Sequence, residues 1–280
     1  MTVARVNGAD VYYEAKGEGE PLLLLPGLGR GTSYFDVIEP ILRREFRTIV
    51  VDPRGIGRSS KENRLITAEE WADDFAALLT DHLGITAAHV LGSSHGGSMA
   101  MAMALRHPAQ VASLLLFGAF SELDRFIVLN MDLRIRLAHK LGMDVDLRDF
   151  ISLWTFGHEG LEKPGVEKFL DAQLAAVRQH TPESYSNICK SLLHWGRKLP
   201  GQESQPVVTS LLHRIKCPTL VVYPGAETVG STHNYDAMRA RIPDVEVIAY
   251  EGLPHNICDS VPDRCADDVL KFLAKRFPAG

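Results

Sequence analysis

Apolar positions along the chain follow two rhythms. Short unbroken apolar runs closed by turn residues alternate with stretches in which apolar residues return every three or four positions. Leu22–Leu25 stops at Pro26-Gly27, and Arg47–Val51 stops at Asp52-Pro53. Neither run alternates with polar residues, which predicts strands covered on both faces. Ahead of them, Val3–Val6 and Ala9–Tyr13 flank Asn7-Gly8, a dipeptide suited to a tight hairpin turn. Thr67 and Glu70 have the spacing of a capping box, and Trp71, Phe75, Leu79 and Leu83 follow at helical intervals until Gly84. A strand at Ala88–Leu91, a helix at about Gly96–Arg106 closed by Pro108, and a strand at Val111–Phe117 come next. Two more strands, Thr219–Tyr223 and Val245–Tyr250, flank a helical stretch, and the chain ends in a helix carrying Val269, Leu270, Leu273 and Phe277 on one side. Strands that alternate with helices predict an α/β fold, a mainly parallel sheet with helices on both faces.

One region interrupts the alternation. From Ser121 to Leu212 there are helical runs at Leu133–Leu141, Val166–His180 and Tyr185–Leu199, and no strand pattern. Connections between elements usually run to a few residues, so an insertion of this length predicts a unit of its own. Placed between two strands of a parallel sheet, it would lie over the strand ends as a helical cap. The expected organisation is a core domain of residues 1–120 and 213–280 with a cap of residues 121–212.

Composition narrows the setting. Of the 280 residues, 45% are hydrophobic and 23% charged, enough apolar material for a large core without staples. A net charge of −5 with no basic run argues against nucleic-acid binding, which needs a patch that neutralises phosphates. The four cysteines, at 189, 217, 258 and 265, form no C-x-x-C pair and suit a reducing compartment. No stretch approaches the roughly 18 apolar residues that a membrane span needs, and the start lacks the pattern of a secretory signal. These features predict a cytoplasmic protein whose partner is a small-molecule substrate, with no nucleic acid and no membrane. Eleven histidines include no His-Glu-x-x-His and no zinc-type spacing, so neither a metal nor another cofactor is expected.

The chemistry concentrates where the strand at Ala88–Leu91 runs into Gly92-Ser93-Ser94-His95-Gly96-Gly97. This is G-x-S-x-G between a predicted strand and a predicted helix, a context far more specific than the bare pattern. In such a turn the central serine is held in a tight conformation, with glycines where a Cβ would strike backbone. The following helix points its positive end at the place where an oxyanion develops in acyl transfer. Serine is a weak nucleophile unless a base takes its proton, and the base needs an acid to orient it. His255, in Gly252-Leu253-Pro254-His255-Asn256, is the histidine just beyond the last predicted strand, with His233 the nearest competitor. Cys258 has no turn motif beside it and reads as a small buried filler. Arg54, in Asp52-Pro53-Arg54-Gly55, reads as a charged brace of the neighbouring loop. Trp154, Phe156, His158, His194 and Trp195 are cap residues that could line a pocket or pack the cap itself.

Pro26-Gly27-Leu28-Gly29, Asp52 to Ser59, Gly92 to Gly97, Pro218 to Val222 and His255 together resemble the successive landmarks of the α/β-hydrolase superfamily, over nearly the whole chain. Among its members the chain is similar to aminoacrylate hydrolases, 3-oxoadipate enol-lactonases and related small-ester and lactone hydrolases with a helical cap. The resemblance implies an oxyanion hole made of the backbone N–H groups of Leu28 and His95. It places the acid after the strand ending near Tyr223, where Glu227 stands in place of the usual Asp. Glu122, after the strand ending near Phe117, is the alternative acid. Pro26 replaces a frequent histidine, and Pro254 replaces the glycine usual before the catalytic histidine. The implied function is a serine hydrolase cleaving a small ester, lactone, thioester or amide through an acyl-enzyme. The alternatives are hydrolysis of a ketone-activated carbon–carbon bond on the same triad, as in ring-cleavage hydrolases, and a ligand receptor with a weakly active site.

Overall fold

The computed structural model describes residues 2–196 and 208–278. Strands β1 (Thr2–Val6) and β2 (Ala9–Lys16) form the expected hairpin, with Asn7 and Gly8 both at positive φ, 46° and 80°. Next come β3 (Glu20–Leu25), the short helix α1 (Glu39–Leu42), β4 (Phe46–Val51), α2 (Ala68–Ala77), β5 (Ala88–Ser93), α3 (His95–Arg106) and β6 (Val111–Phe117). Among the described residues, five α-helices follow before the next strand: α4 (Arg125–Leu141), α5 (Val145–Thr155), α6 (Gly157–Leu161), α7 (Val166–Val177) and α8 (Pro182–Gly196). The chain closes with β7 (Thr219–Pro224), α9 (His233–Arg241), β8 (Val245–Tyr250), α10 (Ile257–Ser260) and α11 (Pro262–Arg276).

The eight strands form one sheet in the order β1-β2-β4-β3-β5-β6-β7-β8. β2 pairs antiparallel with β1 and β4, and every pairing from β4 through β8 is parallel. Both faces are covered, which is why the central strands need unbroken apolar runs. Leu23 and Leu25 point into a core with Trp71, Phe75, Met99 and Met103, while Leu22 and Leu24 face Phe35, Phe272 and Leu273 on the other side. Each such leucine contributes about 1.5–3 kcal/mol by leaving water.

Local sequence also sets the ends of elements. Thr67 Oγ1 accepts from Glu70 N–H at 3.2 Å and Glu70 Oε2 accepts from Thr67 N–H at 2.9 Å, so the capping box at the start of α2 is reciprocal. Strand β2 runs three residues past the expected Tyr13 because Glu14, Ala15 and Lys16 stay in register with Val50, Ile49 and Thr48. The charged Glu14 and Lys16 hide this extension in an apolar pattern. Helix α4 begins at Arg125, earlier than the run from Leu133, because Asp124 caps it by accepting from Ile127 N–H at 2.8 Å. α5 and α6 lay outside the expected helical runs.

Helices α4 to α8 stand between β6 and β7, where an insertion was expected; residues 197–207, including the expected helical end at Leu199, lie outside the described residues. α8 is not confined to the insertion, since its Ile188 and Trp195 join the main core cluster beside Leu212 and Ile215. Among the described residues no helix is long and apolar enough to cross a membrane.

Candidate active site

Parallel strands place the loops that follow them at one edge of the sheet, and ligands of open α/β sheets sit at that carboxyl edge. Leu25 pairs with Gly92 and Ser93 with Phe117, so the loops after β3, β5 and β6 start side by side. Between β5 and α3 the chain turns at Ser94, which holds φ 53° and ψ −119°, one of only two non-glycine residues at positive φ among the described residues. Its backbone is fixed by Ser94 N–H donating to Phe117 O at 2.8 Å and by Gly97 N–H donating to Ser94 O at 2.9 Å. A Cβ on Gly92 would strike the Gly96 carbonyl, and one on Gly96 would strike the carbonyls of Leu25 and Pro26. The glycines therefore permit two backbone segments to touch, and the contact presents the serine side chain at the strand end.

Three side chains meet there. Ser94 Oγ lies 2.9 Å from His255 Nε2, and His255 Nδ1 lies 3.0 and 3.1 Å from the two oxygens of Glu227. His255 follows β8 and Glu227 follows β7, so three separate crossovers contribute one group each. The side chains of His255 and Glu227 are 6% and 1% exposed, so their attraction is screened little by water. Burial alone would raise the Glu227 carboxyl. Electrostatic attraction to the His255 ring and hydrogen bonds from His255, Val229 N–H and the Tyr235 hydroxyl outweigh it and hold the carboxyl below its ordinary value. The Phe120 ring lies parallel to the His255 imidazole, with centroids 5.4 Å apart and 4° between planes. Glu122 is not at this place: its carboxylate accepts from Thr209 Oγ1 at 3.2 Å and lies 3.5 Å from His233 Nε2. His233 is correspondingly exposed.

Leu28 and Ser94 line the same cavity. Among the described residues, neither the Leu28 nor the His95 backbone N–H donates to a protein acceptor. His95 is the first residue of α3, where such an amide has no partner within the helix. The His95 side chain points away into the core, edge-on to Trp71 with centroids 5.4 Å apart, and burial pushes its pKa down to about 3. It is a neutral packing group. Pro26 supplies no polar brace to its loop; instead the Tyr34 hydroxyl lies 2.8 Å from Ser93 Oγ and ties the loop after β3 to the serine turn.

The cavity above Ser94 measures about 60 Å³. Its roof comes from the inserted helices, through Met131, Arg134, Ile151, Tyr185 and Leu192. None of the five cap residues singled out in the sequence is among its walls. Trp154 packs against Phe126 and Phe150, Phe156 against Phe169, Trp195 belongs to the core, and His158 is exposed. Cys258 is buried, as expected, with Sγ 4.0 Å from Ser93 Oγ. Backbone bonds from Asn256 N–H to Thr155 O at 3.0 Å, and a bond from Thr228 Oγ1 to Trp154 O at 2.6 Å, dock the end of α5 onto the loops bearing His255 and Glu227.

Comparison with known proteins gives the family and the fold. The family model of the alpha/beta hydrolase fold matches residues 20–261. The chain belongs to the α/β-hydrolase family. This α/β-hydrolase is 32% identical over 273 residues to RutD of Azorhizobium caulinodans, named as a carbamate hydrolase, a match covering 97% of this chain and 98% of that protein. It is 27% identical to 2-hydroxy-6-oxo-6-phenylhexa-2,4-dienoate hydrolase of Comamonas testosteroni, covering 76% and 73% of the two chains. Its fold also matches the crystal structure of the enol-lactonase from Burkholderia xenovorans LB400 with a TM-score of 0.83, at 21% identity over 98% of this chain and all of that one.

Asp52 and Tyr235, which hold the loops of the α/β-hydrolase site, escaped the sequence. Asp52 Oδ1 accepts from Thr32 N–H at 2.6 Å and Oδ2 from Arg58 N–H at 2.8 Å, tying the loop after β3 to the loop after β4. Tyr235, from α9, donates to Glu227 Oε2 at 2.8 Å. Asp52 stood inside a noticed motif, but its partners are non-local. Tyr235 carries no signal, because only the fold brings α9 under the β7 loop.

Proposed function

We propose that this chain hydrolyses a small ester, lactone, thioester or amide through an acyl-enzyme on Ser94. The observation that carries the proposal is the continuous chain from Ser94 Oγ to His255 to Glu227 opening on a cavity. His255 Nε2 takes the Ser94 proton as Oγ attacks the carbonyl carbon, and Glu227 holds the imidazolium through Nδ1. The oxyanion of the tetrahedral intermediate lies against the N–H groups of Leu28 and His95 at the positive end of α3. On collapse the carbonyl re-forms, the bond to the leaving group breaks, and the leaving group takes the proton from His255. Water then enters, gives a proton to His255 as its oxygen attacks the acyl carbon, and the acid departs as Ser94 recovers the proton. The relative named as a carbamate hydrolase supports reading carbamates within this acyl-transfer class.

Carbon–carbon bond hydrolysis on the same residues is the second reading, supported by the Comamonas testosteroni relative. A cavity of about 60 Å³ favours short acyl groups over a phenylhexadienoate. A receptor with a weak site is disfavoured by hydrogen-bond distances that need no rearrangement before attack. The test is acid quenching during turnover of short-chain 4-nitrophenyl esters, followed by peptide mass spectrometry. The expected result is the acyl mass on the peptide containing Ser94. Turnover with no acylated peptide under single-turnover conditions that outrun deacylation would contradict the acyl-enzyme.

A further inference from the structure

Two arginines line the cavity above Ser94 without an ion-paired carboxylate among the described residues. Arg30, in the loop after β3, is 8% exposed, and Arg134, in α4, is 4% exposed. Both line the cavity with Ser94 and His255. Among the described residues no carboxylate forms an ion pair with either. Arg30 donates from Nη1 to Gln173 Oε1 at 2.7 Å and keeps Nε without an acceptor; Arg134 keeps Nε and Nη2 without one.

A guanidinium cannot escape burial by giving up its proton, so the charge needs a partner. Among the described residues no neighbouring carboxylate reaches either guanidinium at ion-pair distance. Asp259 and Asp36 lie within electrostatic reach of Arg30 without forming an ion pair, and Asp259 accepts instead from Asn256 Nδ2 at 2.6 Å. Tyr185 and Cys189 lie beside Arg134, and burial pushes the phenol up and the thiol up to about 12, so both stay neutral.

We propose that Arg134 and Arg30 bind a carboxylate at the far end of a short acyl chain, so that the substrate is an ester, lactone, thioester or amide of a small dicarboxylic acid. This rests on the reading of Ser94 as nucleophile and names the substrate class of that site. A carboxylate presents two coplanar oxygens that match the guanidinium fork. The cavity volume corresponds to roughly four to six water-sized positions, room for a few heavy atoms between the scissile carbonyl and the anion. The anion belongs to the acyl part because that part must stay on Ser94 while the leaving group exits and water enters. Charges buried in the cavity anchor what stays.

The test compares monoethyl succinate with ethyl 4-oxopentanoate, in which a neutral methyl ketone replaces the carboxylate, by pH-stat assay. The wild-type protein is expected to prefer the anion at least tenfold in kcat/KM, and Arg134→Gln to bring that ratio close to one. A wild-type ratio near one, or a ratio unchanged in a folded Arg134→Gln, overturns the proposal. Arg30→Gln gives the same comparison should Arg134→Gln not fold. Calorimetric binding of both esters to Ser94→Ala separates recognition of the anion from turnover. Selective binding of the anion without wild-type turnover of either ester sustains the carboxylate site and contradicts the hydrolytic reading. Equal turnover of both esters does the reverse, and absence of both binding and turnover contradicts both.

Discussion

Two backbone amides, a phenol and an imidazole converge on Glu227: Thr228 and Val229 N–H on Oε1, Tyr235 on Oε2 and His255 Nδ1 on both. In the proposed triad this set pins a glutamate carboxylate that the extra methylene, relative to aspartate, would otherwise leave loose. Glu227→Gln is expected to lower kcat by on the order of 10⁴, because an amide permits the wrong imidazole tautomer and cannot stabilise the imidazolium. Glu227→Asp should keep part of the rate, and Glu122→Gln should change it far less. Steady-state kinetics on the three variants decide this, and an inactive Glu122→Gln beside a near-normal Glu227→Gln would reverse the assignment. His95 gives a second prediction. Its folded pKa of about 3 lies below the ordinary 6.5, so between these values the unfolded chain takes up a proton that the folded chain refuses. Its share of stability is complete above pH 6.5 and falls as pH drops toward 3, by up to about 1.4 kcal/mol per pH unit. Urea midpoints should therefore drop less between pH 7 and pH 5 in His95→Met than in wild type; identical drops would remove His95 from this role. Ser94, His255 and Glu227 were legible because each stands at a fixed offset from a strand or within a motif. Arg134 was not, because its importance lies in what it lacks, and unpaired charge is invisible before packing is known.

At the scale of elements, the site depends on loops locked to one another. Arg54 donates from Nε and Nη2 to Asp74 at 2.8 and 2.6 Å, from Nη1 to Glu62 at 3.1 Å, and from Nη2 to Asn7 O at 3.0 Å. Arg54 and Asp74 are both buried, so the pair ties the loop after β4 to α2 and the first hairpin. The reading of Arg54 as a brace from sequence thus had the right residue and half of the network, while Asp52 ties the same loop to the one after β3. Arg54→Met should cost about 3–5 kcal/mol, since it leaves Asp74 buried without its counter-charge. Denaturant titration of this variant checks the value, and a loss under 1 kcal/mol would make the pair incidental. Strands were readable because full burial on both faces demands unbroken apolar runs. The cap helices were less so: α5 and α6 bury little and leave large apolar residues such as Leu153 exposed, which blurs their period.

Across the whole molecule, the loops at the sheet edge carry Ser94, His255 and Glu227, and the helices between β6 and β7 close the space above them. The insertion was visible in the sequence as an interruption of strand and helix alternation, but which of its side chains face the site depended on helix rotation, and every aromatic candidate turned elsewhere. The helices are also tied downward. His180 Nε2 lies 2.9 Å from Gly29 O, Gln173 accepts from Arg30, and Ile188 and Trp195 enter the main core. We therefore propose that cap and core unfold together. Fluorescence of a Trp71→Phe, Trp195→Phe variant, which leaves Trp154 in α5 as the reporter, should give the same urea midpoint as far-UV circular dichroism of that variant. A fluorescence transition at lower urea would make the cap a separate unit.

Ser94 Oγ is the attacking atom of the proposed acyl transfer, and the most direct measurement is turnover by Ser94→Ala beside covalent labelling of the wild-type protein with a fluorophosphonate. The predicted result is a folded variant with kcat lower by on the order of 10⁶, and a wild-type adduct located by mass spectrometry on the peptide containing Ser94 with complete loss of activity. A Ser94→Ala protein that kept a tenth of the wild-type rate, or inactivation with the adduct on another residue, would contradict it.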